Sequence, residues 1–237
     1  MQRMLLSLPD PAVNLAVDEA LLEAAECESG GEVLRIWEFA APTVVIGRGS
    51  RLAAEVDADA CAAAEIPVLR RTTGGLAIVA GPGCLMYSLV LDLRQRPALR
   101  TIDAAHRFVM ESLLTALQPM IDGLQWQGTC DLTWQDRKFS GNSLRLARHH
   151  LLYHGTLLYG LDLPSVSRYL LPPPRAPEYR AAREHQAFIV NLPLLRRQLV
   201  AALEQAFPTQ GVPAPPLPAA TALAEQRYRD PAWTARH

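Results

Sequence analysis

A chain of 237 residues is long enough to bury a substantial core, as one large domain or two small ones. Its 23 Lys and Arg residues balance 24 Asp and Glu residues, and the net charge of -1 predicts no general attraction to nucleic acid or membranes. The first residues have too short an apolar run for a signal peptide, and no segment approaches the roughly 18 apolar residues of a membrane span.

Apolar periodicity and turn residues predict the elements of the first half. Residues 14–26 are expected to form an amphipathic helix, capped by Asn14 or the preceding turn. Its apolar stripe contains Leu15, Ala16 and Leu22. Strands are predicted over residues 33–37, 43–47, 67–70 and 85–91, and helices over residues 53–64 and 101–118.

The second half is predicted to be richer in β-structure. Short strands separated by turns are expected from residue 124 to residue 160, followed by a helix over residues 194–207. The proline-rich residues 208–220 (PTQGVPAPPLPAA) are expected to be irregular, as an extended tail or linker. This order of elements favours an α+β domain with a mixed β-sheet flanked by helices, spanning residues 1–207, and a tail over residues 208–237.

The segment LRRTTGGLAIVAGPGCLMY, residues 69–87, combines two arginines with several glycines. It contains neither a P-loop nor a GxGxxG fingerprint. One interpretation is a plain hairpin turn with surface arginines. The other is a cradle in which backbone N–H groups approach an anion while Arg70 or Arg71 neutralises it.

Lys138 in DRKFSGNS is either a solvated charge or a site residue. A compact ammonium ion can hold a carboxylate and a phosphate while an acyl group is transferred. His150 and His154 have a spacing that converges only on a helix, whereas LLYHGTLLY favours a strand, so metal ligation is not predicted. His154 is instead predicted to form a hydrogen-bonding corner.

The four cysteines contain no CxxC pair, which argues against a disulfide framework or a structural zinc site and favours a reduced, cytoplasmic setting. Cys27 and Cys61 lie in predicted helices and are expected to be packing residues. Cys84 and Cys130 lie in the unusual segments, where a nucleophile would need a nearby base and a lowered pKa.

Several segments together resemble the lipoate–protein ligase A family. RRTTGGLAIVAGPGCLMYS is similar to its RRxSGGGAV…NYS segment, DLTWQDRKFSGNS to DL…RKISGSA, and LLYHGTLL to HHGTLL. NLAVDEALLE, PTVVIGRGS and FIVNL are similar to other segments of the family, in the same order. The resemblance extends over residues 10–205.

The resemblance implies the catalytic domain shared by lipoate ligases, octanoyltransferases and biotin–protein ligases. The ligase reaction uses ATP and Mg²⁺ to convert lipoate or octanoate to acyl-AMP. A lysine of an apo lipoyl domain then accepts the acyl group. The accessory C-terminal domain of many bacterial members has no counterpart in residues 208–237. A separate accessory protein is therefore one alternative, and independence of any accessory domain is the other.

The resemblance also implies roles for individual residues. Lys138 matches the lysine at which the acyl carboxylate meets the phosphate. Asp131 matches an aspartate near the phosphate that is suited to magnesium. Further residues of the substrate and adenylate site are implied in the same motifs: Arg71, Thr73, Gly74, Gly75, Leu76, Ala77, Ser140, Gly141, His154, Gly155 and Thr156.

The chain departs from the ligase pattern at two places. Leu76 replaces a third glycine, and residues 80–83 (AGPG) replace a common His-Asp and are similar to the HGPGQ of transferases. One transferase class has a cysteine three residues before His-Gly, where this chain has Leu151. Another has its cysteine upstream of the Arg-Lys pair, loosely matched by Cys130. GRGS at residues 47–50 stops short of a biotin-binding loop.

Three hypotheses therefore stay open. An ATP-dependent lipoate–protein ligase is favoured. A transferase that uses Cys130 without ATP and a non-catalytic lipoyl-binding relative are the alternatives. Arg175, Arg180 and Arg183 after a proline-rich segment begin a solvated helix, cover the adenylate, or dock the acidic surface of a lipoyl domain.

Overall fold

Two β-sheets organise the protein, whose computed structural model describes residues 1–237. The strands are β1 (Gln2–Leu5), β2 (Val33–Trp37), β3 (Thr43–Ile46), β4 (Val68–Arg70), β5 (Ile78–Ala80), β6 (Cys84–Asp92), β7 (Leu124–Gln127), β8 (Asp131–Trp134), β9 (Arg137–Leu146) and β10 (His150–Leu158). The larger sheet has the order β1-β2-β6-β10-β9-β8-β7 and the smaller one β4-β3-β5. The β1–β2 and β3–β4 pairs are parallel and the others antiparallel, so both sheets are mixed.

Helices cover both faces of the larger sheet, which confirms the predicted α+β class. They are α1 (Pro11–Glu26), α2 (Leu52–Glu55), α3 (Ala58–Ala63), α4 (Ile102–Leu117), α5 (Leu163–Tyr169), α6 (His185–Phe188), α7 (Arg196–Ala206), α8 (Leu217–Leu223) and α9 (Pro231–Thr234). Met86 and Val90 of β6 face the core under α1, whereas Tyr87 and Leu89 face the core under α4 and α7. Successive side chains of a strand point to opposite faces, so one sheet separates two cores. A helix with the length and apolar character needed to span a membrane is not found.

Helix α1 carries buried polar residues as well as its apolar stripe. It begins after Asp10, whose carboxylate accepts hydrogen bonds from two N–H groups of the first turn, so the preceding turn rather than Asn14 supplies the cap. Asn14 and Asp18 lie inside the helix and bind Arg35 of β2, at 2.5 and 2.7 Å. The predicted apolar stripe is buried: Leu15, Ala16 and Leu22.

Other boundaries differ from the prediction. The helix expected over residues 53–64 is divided into α2 and α3, because Val56 between them is extended. Asp57 caps the second helix by accepting a hydrogen bond from the Ala60 N–H at 2.9 Å. Strands β1 and β5 and helix α5 were not predicted, since each is short and has a weak local pattern.

The irregular structure predicted for residues 208–220 extends only to residue 216. Residues 208–216 have no regular structure, but α8, a π-helical turn (Ala224–Tyr228) and α9 follow. Leu223 and Tyr228 join the core that α1 covers, and the Tyr228 hydroxyl donates to Glu19 Oε2 at 2.8 Å. The C-terminal segment therefore packs onto the domain, where its apolar residues are held by contacts distant in sequence.

Candidate active site

The RRTTGG motif begins a loop, residues 71–77, between β4 and β5. These strands flank β3 and do not pair with each other, so the plain-hairpin interpretation is wrong. At Gly75 the backbone is left-handed (φ 86°), and a Cβ there would lie 2.7 Å from Arg71 Nη2. A Cβ at Gly47, directly after β3, would lie 1.9 Å from the Gly75 carbonyl oxygen. The loop conformation therefore requires glycine at both positions.

The carbonyl groups of residues 73–76 accept hydrogen bonds within the protein, whereas the N–H groups of residues 72–76 are free. Ser143 Oγ donates to the Gly74 carbonyl oxygen at 2.9 Å, and Ser50 Oγ donates to that of Gly75 at 3.1 Å. None of the backbone N–H groups of residues 72–76 donates a hydrogen bond to another part of the protein. Successive N–H groups of this kind form an anion-binding concavity. The geometry therefore favours the cradle interpretation.

Both arginines of the motif are buried and bind backbone carbonyl groups. Arg70 Nη1 donates to the carbonyl oxygens of Gly47 and Ser50, each at 2.7 Å. Arg71 Nη2 donates to the Gly74 carbonyl oxygen at 2.5 Å. Burial lowers the pKa of Arg71 to about 10. The expectation that either arginine faces an anion does not match this geometry, since both guanidinium groups hold the loop and its neighbours.

Lys138 is the only lysine of the chain, and every other Lys or Arg position carries arginine. It lies on β9, with Nζ 2.7 Å from Asp131 Oδ1 on the neighbouring β8. Its side chain passes over Gly141, where a Cβ would lie 2.7 Å from Nζ. Ser143, which binds Gly74 of the loop, lies further along the same strand. Strand β9 thus connects the compact ammonium group to the glycine loop.

The segment before α6 contacts this ion pair. The Tyr179 hydroxyl donates to Asp131 Oδ2 at 2.8 Å, and the Tyr179 ring lies 5.2 Å from that of Phe188, centroid to centroid. Burial and the Asp131 carboxylate raise the pKa of Tyr179. Arg183 Nη2 donates to the Tyr179 carbonyl oxygen at 2.7 Å, whereas Arg175 is exposed. That this segment covers a bound adenylate stays a prediction.

His154 connects the glycine loop to α1. Its Nε2 lies 2.6 Å from Thr73 Oγ1, and its Nδ1 lies 3.2 Å from Asp18 Oδ2. The three residues are buried. His154 therefore forms the hydrogen-bonding corner expected from the sequence, and no cluster of three or more potential metal ligands exists in the protein.

The remaining predicted residues lie where β9, β10 and the loop meet. The Gly141 N–H donates to Thr156 Oγ1 at 3.2 Å, next to the buried Ser140. A Cβ at Gly155 would lie 1.8 Å from Asn142 Oδ1, so glycine is required for the close strand contact. The other two residues belong to the end of the loop: Leu76, which is partly exposed, and Ala77, whose N–H donates to Glu55 Oε2 at 2.7 Å.

Neither candidate cysteine is an activated thiol. Cys84 is fully buried, and burial raises its pKa to about 12. Cys130 Sγ donates to the Asn142 carbonyl oxygen at 3.0 Å, and burial together with the Asp131 carboxylate raises its pKa to about 11. A nucleophilic cysteine needs the opposite shift and a base to accept its proton. The imidazole of His154 is already bound to Thr73 and Asp18.

The residues present do not fit a dedicated magnesium site. Asp131 offers a single carboxylate, and its two oxygens are bound to Lys138 and Tyr179. No group of three or more acidic, histidine or cysteine side chains could hold a metal ion. The predicted role of Asp131 as a magnesium ligand therefore has no support in the donor set, and no step below is assigned to the ion.

A cleft of about 510 Å³ opens beside the glycine loop. Gly74 and Thr72 line it on the loop side, and Leu144 and Leu146 of β9 line it on the other. Three arginines, including Arg48, also line the cleft. This arrangement places apolar side chains and guanidinium groups next to the free N–H groups, which suits a ligand with an apolar chain and an anionic end.

Sequence reasoning missed several residues of the site. Ser143 lies in the RKFSGNS motif and could have been predicted from it. Asp18 had a weaker signal, since it is one of three acidic residues in the NLAVDEALLE segment. The others have no local signal because they approach from distant segments: Ser50, Glu55 and Tyr179.

Comparison with known proteins gives a family match over most of the chain. The profile described as "Lipoyl protein ligase A/B catalytic domain" matches residues 10–207. A protein described as "Probable lipoate-protein ligase A" from Mycoplasma genitalium is 28% identical over 172 residues, covering 72% of this chain and 50% of the relative. "Octanoyltransferase LipM" from Carboxydothermus hydrogenoformans is 30% identical over 175 residues, covering 67% of this chain and 65% of the relative.

A solved structure shares the fold over nearly the whole chain. It is described as lipoate-protein ligase A bound with ATP, and it superposes with a TM-score of 0.82 at 20% identity. The match covers 99% of this chain and 98% of that one. The chain thus spans the fold of that structure but only half the length of the Mycoplasma relative.

Proposed function

We propose that this chain, which belongs to the lipoyl protein ligase A/B catalytic domain family, is an ATP-dependent lipoate–protein ligase. In the first step a carboxylate oxygen of lipoate or octanoate attacks the α-phosphorus of ATP and displaces pyrophosphate. In the second step the amine of an acceptor lysine in an apo lipoyl domain attacks the acyl carbon. AMP leaves, and the nitrogen loses a proton to give the amide.

The free N–H groups of residues 72–76 and the ammonium group of Lys138 suit this chemistry. Both steps develop negative charge on oxygens, and fixed N–H groups beside a cation stabilise such charge without reorganisation. The cleft beside the loop, with Leu144 and Leu146 on one side, has the character expected for an acyl chain. We assign the acyl end to this cleft and the carboxylate end to the loop and Lys138.

The observation that carries the choice of ligase is the state of Cys130. Its pKa is raised to about 11, and its Sγ is hydrogen-bonded to a carbonyl oxygen. A ligase draws the energy for acyl transfer from ATP and needs no thiolate on the enzyme. The octanoyltransferase among the relatives makes a cysteine-dependent transferase the second candidate.

The direct test combines the protein with lipoate, MgATP and an apo lipoyl domain, and reads the mass of the domain. We expect a lipoyl mass increase that requires ATP. Transfer of octanoate from octanoyl-carrier protein without ATP, with no ATP-dependent reaction, would establish the transferase instead. No transfer by either route would leave the non-catalytic lipoyl-binding relative and contradict the proposal.

The Cys130→Ala variant separates the two enzymatic candidates. We expect its ligase activity to stay within about threefold of the unsubstituted protein, since alanine removes no transition-state contact. Alkylation should also be slow near neutral pH and should accelerate as the pH rises toward about 11, where the thiolate forms. Exposed Cys27 provides the comparison for alkylation, and Cys27→Ala the control for activity. An acyl-thioester on the protein that disappears in Cys130→Ala would refute the ligase.

A further inference from the structure

A series of buried, hydrogen-bonded polar side chains runs from β2 to the glycine loop. Arg35 Nη1 donates to Asp18 Oδ1 at 2.7 Å, and Asp18 Oδ2 lies 3.2 Å from His154 Nδ1. His154 Nε2 lies 2.6 Å from Thr73 Oγ1, which also accepts a hydrogen bond from Arg71 Nε at 3.1 Å. The groups come from β2, α1, β10 and the loop, so four segments meet along one line of contacts.

The hydrogen-bond partners determine which atom of each side chain in this series carries the hydrogen. A carboxylate only accepts hydrogen bonds, and the Arg35 ion pair favours that form of Asp18. In the neutral imidazole, Nδ1 of His154 must therefore carry the hydrogen and Nε2 must accept one. The Thr73 hydroxyl then donates to His154 and accepts from Arg71. It has no hydrogen left for a ligand, so at position 73 only the backbone N–H group can meet an anion.

The two oxygens of Asp18 have different partners. Oδ1 binds Arg35, which also donates to the Asn14 carbonyl oxygen at 2.8 Å. Oδ2 accepts from Ser88 Oγ at 2.6 Å and lies next to His154. Asp18 Oδ1 thus holds α1 to β2, and Oδ2 is directed toward His154 and the site. An asparagine can keep an oxygen toward Arg35 while it changes the group that faces His154.

We propose that Asp18 is a positioning residue of the site. Through the tautomer of His154 it orients the Thr73 hydroxyl, and thereby holds residues 72–76 with their N–H groups free for the ligand. An amide at position 18 would donate to Nδ1 and move the imidazole hydrogen to Nε2, which would reverse the direction of the bond to Thr73. The identity of the ligand rests on the proposed function, whereas the hydrogen-bond direction does not.

A double-mutant cycle in the ligase assay tests the coupling. We expect Asp18→Asn and Thr73→Val each to lower kcat/KM about tenfold, and the double variant to lose little more than Thr73→Val alone. Thr73→Ser should restore most of the activity because it keeps the hydroxyl. Losses that simply multiply in the double variant would mean that Asp18 does not act through Thr73, and would overturn the proposal.

A second measurement reads the tautomer without any activity. In ¹⁵N-histidine NMR spectra, assigned with His154→Asn, we expect Nδ1 to carry the hydrogen in the native protein and Nε2 to carry it in Asp18→Asn. An Nε2–H tautomer in the native protein overturns the proposal. If Asp18→Asn does not fold, the tautomer of the native protein alone decides, because Asp18 Oδ2 beside Nδ1 requires the Nδ1–H form. An inactive native protein with the expected tautomer would count against the ligase only.

Discussion

Replacing Lys138 by alanine is expected to lower the ligase kcat/KM by about 10²–10³-fold, the range seen when one stabilising group is removed from a developing oxyanion. The loss should appear mainly in kcat, because the ammonium acts on charge that develops during the reaction. The fold should persist, since the side chain is 28% exposed and its partner Asp131 keeps the Tyr179 hydrogen bond. Thermal unfolding measured beside the assay checks this separation.

Lys138→Arg is the informative companion. It keeps the positive charge in a chain that uses arginine at every other Lys or Arg position. We expect it to lose most of the activity as well. The ammonium group lies so close to Gly141 that a Cβ there would be only 2.7 Å from Nζ, and the larger, planar guanidinium would not fit the same space beside Asp131. Arg137→Lys, one residue before, is the control and should stay active. Full activity in Lys138→Ala would remove Lys138 from the site.

The second large effect is expected for Gly83→Ala, and it concerns stability. Gly83 is left-handed (φ 85°), and a Cβ there would lie 2.1 Å from the carbonyl carbon of Gly160. The Gly83 carbonyl oxygen also accepts hydrogen bonds from the N–H groups of Tyr159 and Gly160, at 2.9 and 3.0 Å. Backbone cannot give way as a flexible side chain does, so the free energy of unfolding should fall by about 3 kcal/mol or more.

Gly123→Ala is the matched control for this variant. Gly123 has a similar φ of 79°, but nothing lies within 4 Å of a Cβ built there. It should therefore lose only the conformational contribution, about 1–2 kcal/mol. Chemical denaturation measures both variants. Equal losses would mean that the contact with Gly160 is not tight. The difference that we expect would identify the AGPG segment as a turn that packs against the backbone after β10.

The long, regular elements of the fold could be predicted from the sequence because their apolar patterns repeat. Helices α1 and α4 and strand β6 follow such patterns and lie close to their predicted positions. The C-terminal helices could not be predicted, because proline-rich residues precede them and their stability comes from contacts with α1. Tyr228 shows this, since its partner Glu19 lies more than 200 residues earlier.

The candidate site was predictable where a single sequence motif contains both the residue and the neighbours that indicate its role. Lys138, Gly141 and His154 were predicted in this way; the structure places the first two on β9 and His154 against Thr73 of the loop, and their roles stay predictions. The orientation of Arg71 was not, because the sequence cannot show that carbonyl groups of its own loop would take up its donors. The sequence also cannot show which distant residues complete the loop, and Asp18 reaches Thr73 only through His154.

The most direct measurement of the central claim is lipoate-dependent exchange between ATP and pyrophosphate. It needs neither an acceptor domain nor an accessory protein, so it isolates acyl-adenylate formation by this chain. We expect exchange that requires lipoate or octanoate, persists in Cys130→Ala and is lost in Lys138→Ala. Absence of exchange, in a folded protein that transfers octanoate from its carrier protein without ATP, would contradict the ligase assignment.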